Sequence, residues 1–151
     1  MYAAGGGTIW CPDGTYLLDA VNYIKDDGVT VYGITSIKLK DGVYLVGNRG
    51  AIFKVKNGAY GPGAFYRVFS SHDAAGGKLK DAGICGITID GNVDNQAASI
   101  QCSNVVLECD SNVTIMDVKS YNCNGNGIMI RGATDDTATN LAVINCEVGV
   151  S

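Results

Sequence analysis

The sequence predicts an all-β fold, a right-handed parallel β-helix, and three observations in it point that way. The stretch from Asn112 to Ser151 holds two copies of one unit. Asn112-Val-Thr-Ile returns 28 residues later as Asn140-Leu-Ala-Val, Asn122-Cys123 returns 23 residues later as Asn145-Cys146, and Gly127 and Gly149 lie 22 apart. Second, most of the apolar runs are short and separated by short turns. Such turns leave no room for the crossover helices of a doubly wound sheet. Third, Asn and Gly punctuate the corners. A drifting period in the twenties with this punctuation is the mark of a solenoid, whose coils stack about 4.8 Å apart. Antiparallel hairpins want tight two-residue turns, for which Asn124-Gly125 is a good match, and a β-sandwich is the second reading. In a stack, equivalent Asn side chains hydrogen-bond along the axis. The 23-residue spacing predicts Asn122 over Asn145 and Cys123 over Cys146.

Taken in order, Met1–Ala4 followed by Gly5-Gly6-Gly7 reads as a helix end with a glycine stop. Thr8–Trp10 and Thr15–Leu18 are strands on either side of a Pro12-Asp13-Gly14 turn. Asp26-Asp27-Gly28 is a turn in a less regular stretch. Ser36–Lys40 alternates strictly, with Ile37 and Leu39 inward and the lysines outward. Val43–Val46 and Ala51–Lys56 follow. Residues 57–83 are the least periodic, and read as a long excursion with one strand at Ala64–Ser70. Long loops on a solenoid gather on one face, often the binding face; covering an apolar edge is the plainer role. Regularity returns with Gly86–Asn92, then Val105–Cys109, Val113–Val118, Gly127–Arg131 and Leu141–Ile144.

Composition bounds the rest. The 151 residues amount to one domain, 1–151, and 46% hydrophobic content suffices for a core. A net charge of -4 argues against nucleic acid or an anionic membrane as partner. No apolar run is long enough to span a bilayer, and Met1–Gly5 lacks the regions of a signal peptide. The six cysteines form no CxxC pair. They read as small buried hydrophobes in a reduced protein, with a disulfide set or metal site as the alternative.

Several blocks resemble the pectate-lyase-like right-handed β-helix superfamily. Ala3–Tyr16 resembles its opening, where an amphipathic helix ends in a Gly-Gly-Thr strand and a Pro-x-Gly-x-Tyr turn. Leu39–Leu45 and Gly86–Asn92 resemble the next blocks; Asn112–Ile115 and Gly125–Ile128 resemble later coils. Phage tailspike and appendage β-helices and the mannuronan C5-epimerase module are the nearest groups. The resemblance implies a polysaccharide partner, a homo-oligomer (a trimer if a tailspike), and a place on a virion tail or outside the cell. It also implies the N-terminal part of a longer β-helix, with the C-terminal end open or covered by a partner.

Epimerases of this type carry Tyr, Asp and His on one strand, in a Tyr-Gly-Phe-Asp-Pro-His pattern. The matching strand here is Asn126–Arg131, with Asn126, Met129 and Arg131 at those three places. None of the catalytic types survives, so no catalytic residue is assigned. If the whole protein is an enzyme, the resemblance makes it a polysaccharide lyase, an epimerase or a glycoside hydrolase. Candidate substrate-binding positions are Glu108, Met129, Arg131, Asp90 and Asp117. Glu108 and Arg131 lie 23 apart, which makes them neighbours on adjacent rungs. They read first as a surface ion pair, and second as a carboxylate site using the Arg131 fork. Glycoside hydrolysis needs two carboxylates roughly 5 to 9 Å apart, and Asp90, Asp94, Glu108, Asp110 and Asp117 are available; each also suits ordinary turn chemistry.

No cofactor is expected. Asp135-Asp136 reads as a solvated loop pair, with Ca²⁺ as the alternative. His72, beside Asp73 and Ser71, does not form a triad, because triads converge in space rather than in sequence. Trp10 and Tyr16 are expected in the core. Tyr60, Phe65 and Tyr66 read as loop packing, with sugar stacking as the alternative. Asn112-Val-Thr114 is a glycosylation sequon inside an expected strand. Outward Met116 and Met129 on a flat face would point to a subunit interface.

Overall fold

The computed structural model describes residues 6–20, 22–25, 31–61, 65–71, 79–97, 101–132 and 138–149. The chain winds through about four coils, each contributing one strand to each of three parallel stacks. The first coil holds β1 (Gly7–Cys11), β2 (Gly14–Leu18) and an antiparallel pair, β3 (Asn22–Lys25) with β4 (Val31–Lys38). The second holds β5 (Val43–Gly47), β6 (Ala51–Val55) and β7 (Phe65–Ser70). The third holds β8 (Leu79–Cys85), β9 (Thr88–Asp90) and the first half of β10 (Gln101–Met116). The second half of β10, β11 (Lys119–Tyr121) and β12 (Ile128–Gly132) make the fourth; β13 (Thr139–Ile144) and β14 (Glu147–Gly149) begin a fifth.

The first sheet stacks β1, β5, β8, β10 and β13; the second stacks β2, β6, β9, β11 and β14; the third stacks β4, β7, β10 and β12. All of these pairings are parallel, so the fold is a parallel β-helix. β10 runs from the third sheet into the first, and its register against β8 shifts between Cys109 and Ser111.

Inward positions alternate along each strand and line up between coils. Leu45, Ile84 and Ile115 form one inward row, and Phe69 and Val105 share another. Ile84, Ile115, Phe69 and Val105 are fully buried. Burying each such side chain contributes about 1.5–3 kcal/mol. Tyr16 stacks on Phe53 with centroids 4.9 Å apart, and Phe53 meets Phe69 edge-on at 5.6 Å. Cys11, Cys102 and Cys109 are buried in this core, as small hydrophobes would be; burial pushes the thiols of Cys102 and Cys109 up to about 12.

The corners explain the Asn-rich punctuation. Asp81, Asn112 and Asn140 all take left-handed backbone, with φ of 52°, 55° and 54°. Asn and Asp tolerate that region better than other side-chain-bearing residues. Their side chains then bond along the axis: Asn140 Nδ2 donates to Asn112 Oδ1 at 2.9 Å, and Asn112 Nδ2 to Asp81 Oδ1 at 2.8 Å. The Asn112/Asn140 repeat is therefore a true rung.

The Asn122/Asn145 repeat is not. Asn145 Nδ2 donates to Asp117 at the corner between the first and second sheets, whereas Asn122 Nδ2 donates to Asp90 at the corner between the second and third. Cys123 over Cys146 fails with it, since Tyr121 already pairs with Gly149. The physical reason is that the coil length depends on where it is measured. Val105 to Ile128 on the third sheet spans 23 residues, while Lys119 to Glu147 on the second spans 28. The sequence spacing of one sheet does not transfer to another.

Residues 57–83 hold two rungs. β7 falls where one strand was expected, and β8 begins at Leu79; residues 62–64 and 72–78 lie outside the described ones. Tyr60 and Tyr66 are buried and stack at 3.9 Å. Trp10 departs from expectation: its register over Val46 turns it outward and leaves it 59% exposed. The expected helix end at Met1–Gly5, the turn at Asp26–Gly28, His72 and Asp135-Asp136 all lie outside the described residues. Among the described residues no helix is long and apolar enough to cross a membrane.

Candidate functional site

The outer side of the third sheet carries an open depression of about 230 Å³. Phe65 and Gln101 share a rung position at one end, and Arg67 and Ser103 share the next. Val106 pairs with Met129 beyond them, and Asn126 closes the wall. Alternation along β7 produces this: Tyr66 and Val68 point into the core, so Phe65 and Arg67 point out. Phe65 is 53% exposed, which leaves a ring face free for stacking.

The far wall is held by main-chain contacts to the coil beneath. The Asn126 amide donates to Ser103 Oγ at 2.9 Å, the Gly125 amide to Cys102 O at 2.7 Å, and the Cys102 amide to Asn124 Oδ1 at 2.7 Å. These bonds fix the 124–126 turn against β10.

Glu108 and Arg131 are paired in register one step further along the same face, and their side chains form an ion pair. Ser71 brackets the Glu108 main chain, donating to Glu108 O at 2.9 Å and accepting from its amide at 2.6 Å. The pair is exposed on the arginine side, so its contribution is small. Replacing Glu108 with alanine is expected to lower stability by less than about 1 kcal/mol. A urea titration followed by circular dichroism checks this; a loss several times larger would show that the pair anchors the fold.

Of the five candidate positions, Glu108, Met129 and Arg131 come together on this face. Asp90 and Asp117 do not. Asp90 is 3% exposed at the outer edge of the second sheet. Its Oδ1 accepts from the Asn92 amide at 2.9 Å and from Asn122 Nδ2 at 3.0 Å, and Lys54 Nζ lies 3.0 Å from Oδ2. Asp117 is a left-handed corner residue, φ 54°, that accepts from Asn145. Both carboxylates serve corners. No two carboxylates face the depression among the described residues, so its side chains can bind and orient a ligand but offer no acid–base pair. No cluster of three or more metal-ligating residues occurs among the described residues.

Phe65 and Asn126 were legible as possible contact residues. Arg67, Gln101 and Ser103 were not: the strand expected at Ala64–Ser70 had no neighbour assigned to it, and the next strand expected on its sheet began only at Val105, whereas β10 begins at Gln101. The alternation of Phe65-Tyr-Arg-Val is the signal that marks β7 as a rung.

No family model matches the sequence, and no curated protein matches it. Solved structures similar to nearly the whole chain include two epimerase modules. The A-module of mannuronan C-5 epimerase AlgE6 from Azotobacter vinelandii superposes with a TM-score of 0.66 at 23% identity, over 97% of this chain and 37% of that one. The A-module of mannuronan C-5 epimerase AlgE4 from the same organism superposes with a TM-score of 0.61 at 23% identity, over 97% of this chain and 41% of that one. The chain thus spans about two fifths of the length of either. The likeness establishes the fold, a parallel β-helix.

Proposed function

We propose that this chain is a carbohydrate-directed β-helix that binds an acidic polysaccharide along the outer side of its third sheet. The observation that carries the reading is the convergence of Arg67, Phe65, Gln101, Ser103 and Asn126 on one depression. A guanidinium suits a carboxylate through two parallel hydrogen bonds. An exposed ring suits the apolar face of a sugar, and amide and hydroxyl groups suit its hydroxyls. The structural neighbours, which are mannuronan C-5 epimerases, add support for a polysaccharide ligand. Where the epimerase pattern that the sequence resembles has Tyr, Asp and His, this chain has Asn126, Met129 and Arg131, so the role proposed for this face is binding.

Calorimetric titration with a short oligomannuronate tests this. Binding is expected for the wild type, with a neutral glucan oligomer binding far more weakly. Arg67→Met is expected to weaken binding tenfold or more, the loss of one charge-assisted hydrogen-bonded group. Equal binding of neutral and acidic oligomers, or unchanged binding by Arg67→Met with a wild-type circular dichroism spectrum, would refute the reading. The second reading is a structural β-helix of a virion tail or other assembly, which binds protein and no sugar. The exposed Trp10, Tyr44 and Ile144 on the first sheet favour it.

A further inference from the structure

Arg67 and Arg131 both stand on the outer side of the third sheet, and they are used differently. Arg67 lines the depression. Arg131 stands beside it, two residues past the lining Met129 on β12, a step of about 7 Å along the strand. Arg67 shares a row with Ser103, Arg131 shares one with Glu108, and the apolar Val106–Met129 row lies between them. The partner of Arg131 is already a carboxylate, since Glu108 pairs with it in register and in charge. The two ends of that ion pair are held unequally. The Glu108 side chain is only 20% exposed, and Ser71 clamps its main chain at both the amide and the carbonyl. The Arg131 side chain is 54% exposed, so the long arginine can swing while the glutamate stays. An arginine in this position exchanges one carboxylate partner for another at little cost, because an ion pair open to water contributes little.

We propose that Glu108 is a built-in competitor: it occupies Arg131 in the free protein and so keeps a second carboxylate position of the polysaccharide site closed. The inference rests on the reading of this face as an acidic-polysaccharide site. A polyuronate held at Arg67 presents further carboxylates along the face, and the Arg131 guanidinium offers them the same two-pronged geometry. Glu108 meets that geometry first. As a fixed neighbour in the same chain it competes at a high effective concentration. A ligand carboxylate that displaces it must then lie beside it, like charge against like charge. The glutamate is thus the repulsive element of the site, and it confines binding to the depression around Arg67. Removing its charge opens Arg131 to a ligand with more than one carboxylate. A ligand with a single carboxylate serves one arginine at a time and gains nothing at Arg67.

Titration with mannuronic acid, which has one carboxylate, and with its hexamer tests this, followed by NMR through the backbone amides of Arg67 and Arg131. Glu108→Gln is expected to bind the hexamer roughly tenfold more tightly than the wild type, the worth of one charge-assisted contact. The Arg131 amide then shifts together with the Arg67 amide. The affinity for the monomer, read at Arg67, rises far less. Glu108→Gln combined with Arg131→Met loses the gain for the hexamer. Wild-type binding that Arg67→Met weakens, with no gain on Glu108→Gln, overturns the inference and leaves the reading of the face intact. A gain equal for monomer and hexamer is a charge effect at a distance and overturns it too, as does a gain that survives Arg131→Met. Hexamer binding indifferent to Arg67→Met and to Glu108→Gln alike overturns both the inference and the reading. Circular dichroism on every variant separates altered binding from lost folding.

Discussion

Asp90→Ala lowers the stability of the chain by about 3 kcal/mol, equivalent to a fall in Tm of roughly 6–12 °C for a domain of this size. The carboxylate is almost fully buried, and Asp90 Oδ1 accepts from both the Asn92 amide and Asn122 Nδ2. Alanine leaves both donors without that acceptor, in a place where water has little access. Bonds to a charged acceptor are worth about 1.5–3 kcal/mol each. Lys54 adds little to the loss, because it is 38% exposed and can turn to solvent. Asp90→Asn keeps one carbonyl acceptor and is expected to lose about half as much. Thermal unfolding followed by circular dichroism measures both. On the proposed function, the folded fraction of Asp90→Ala binds oligomannuronate as the wild type does, since Asp90 lies outside the third sheet. A large loss of affinity with little loss of stability would return Asp90 to the ligand site.

Gly86→Ala carries the second large effect, about 2–5 kcal/mol. Two costs combine. Gly86 has φ of 63°, a region alanine enters at a cost of about 1–2 kcal/mol. A Cβ there would also stand 2.3 Å from Gly47 O, on the main chain of the preceding coil. A backbone carbonyl in a stacked ladder cannot swing aside as a flexible side chain can. The same corner holds Asp117 and Asn145 on later coils, with φ of 54° and 50°, so left-handed backbone alone does not demand glycine there. Gly86→Asn separates the two costs. It relieves the conformational one and keeps the contact, and is expected to remain destabilising by about 1–3 kcal/mol. Full recovery of stability with asparagine would show that the contact with Gly47 costs nothing.

These two variants also mark how far the residues could be read before the fold was known. Asp90 drew attention as an acidic residue at the end of an alternating strand, but its partners, Lys54 and Asn122, lie 36 and 32 residues away in the chain. A corner carboxylate and a catalytic one look alike in sequence, because both are acidic residues beside Gly or Asn. Glu108 and Arg131 were legible because their spacing equals the coil length on their own sheet. Arg67, Gln101 and Ser103 were hidden, since the strand expected at Ala64–Ser70 gave no sign of its neighbour, and β10 begins four residues before the strand expected at Val105.

By itself the sequence determined the architecture. Short alternating runs cannot form helices, and corners of Asn, Asp and Gly admit the left-handed backbone that a tight solenoid turn requires. The 28-residue return of Asn112 at Asn140 is a real rung, and the absence of Tyr, Asp and His from Asn126–Arg131 is plain from the letters. Only the tertiary structure decided which residues share a face. Coils of unequal length bring together positions 23, 28, 31 or 36 residues apart, depending on the coil and the sheet. A one-residue change of register turns an inward side chain outward, so no fixed period can assign every rung. That is why Asn122 and Asn145 occupy different corners, why Trp10 stands outside the core, and why Arg67 lies over Ser103.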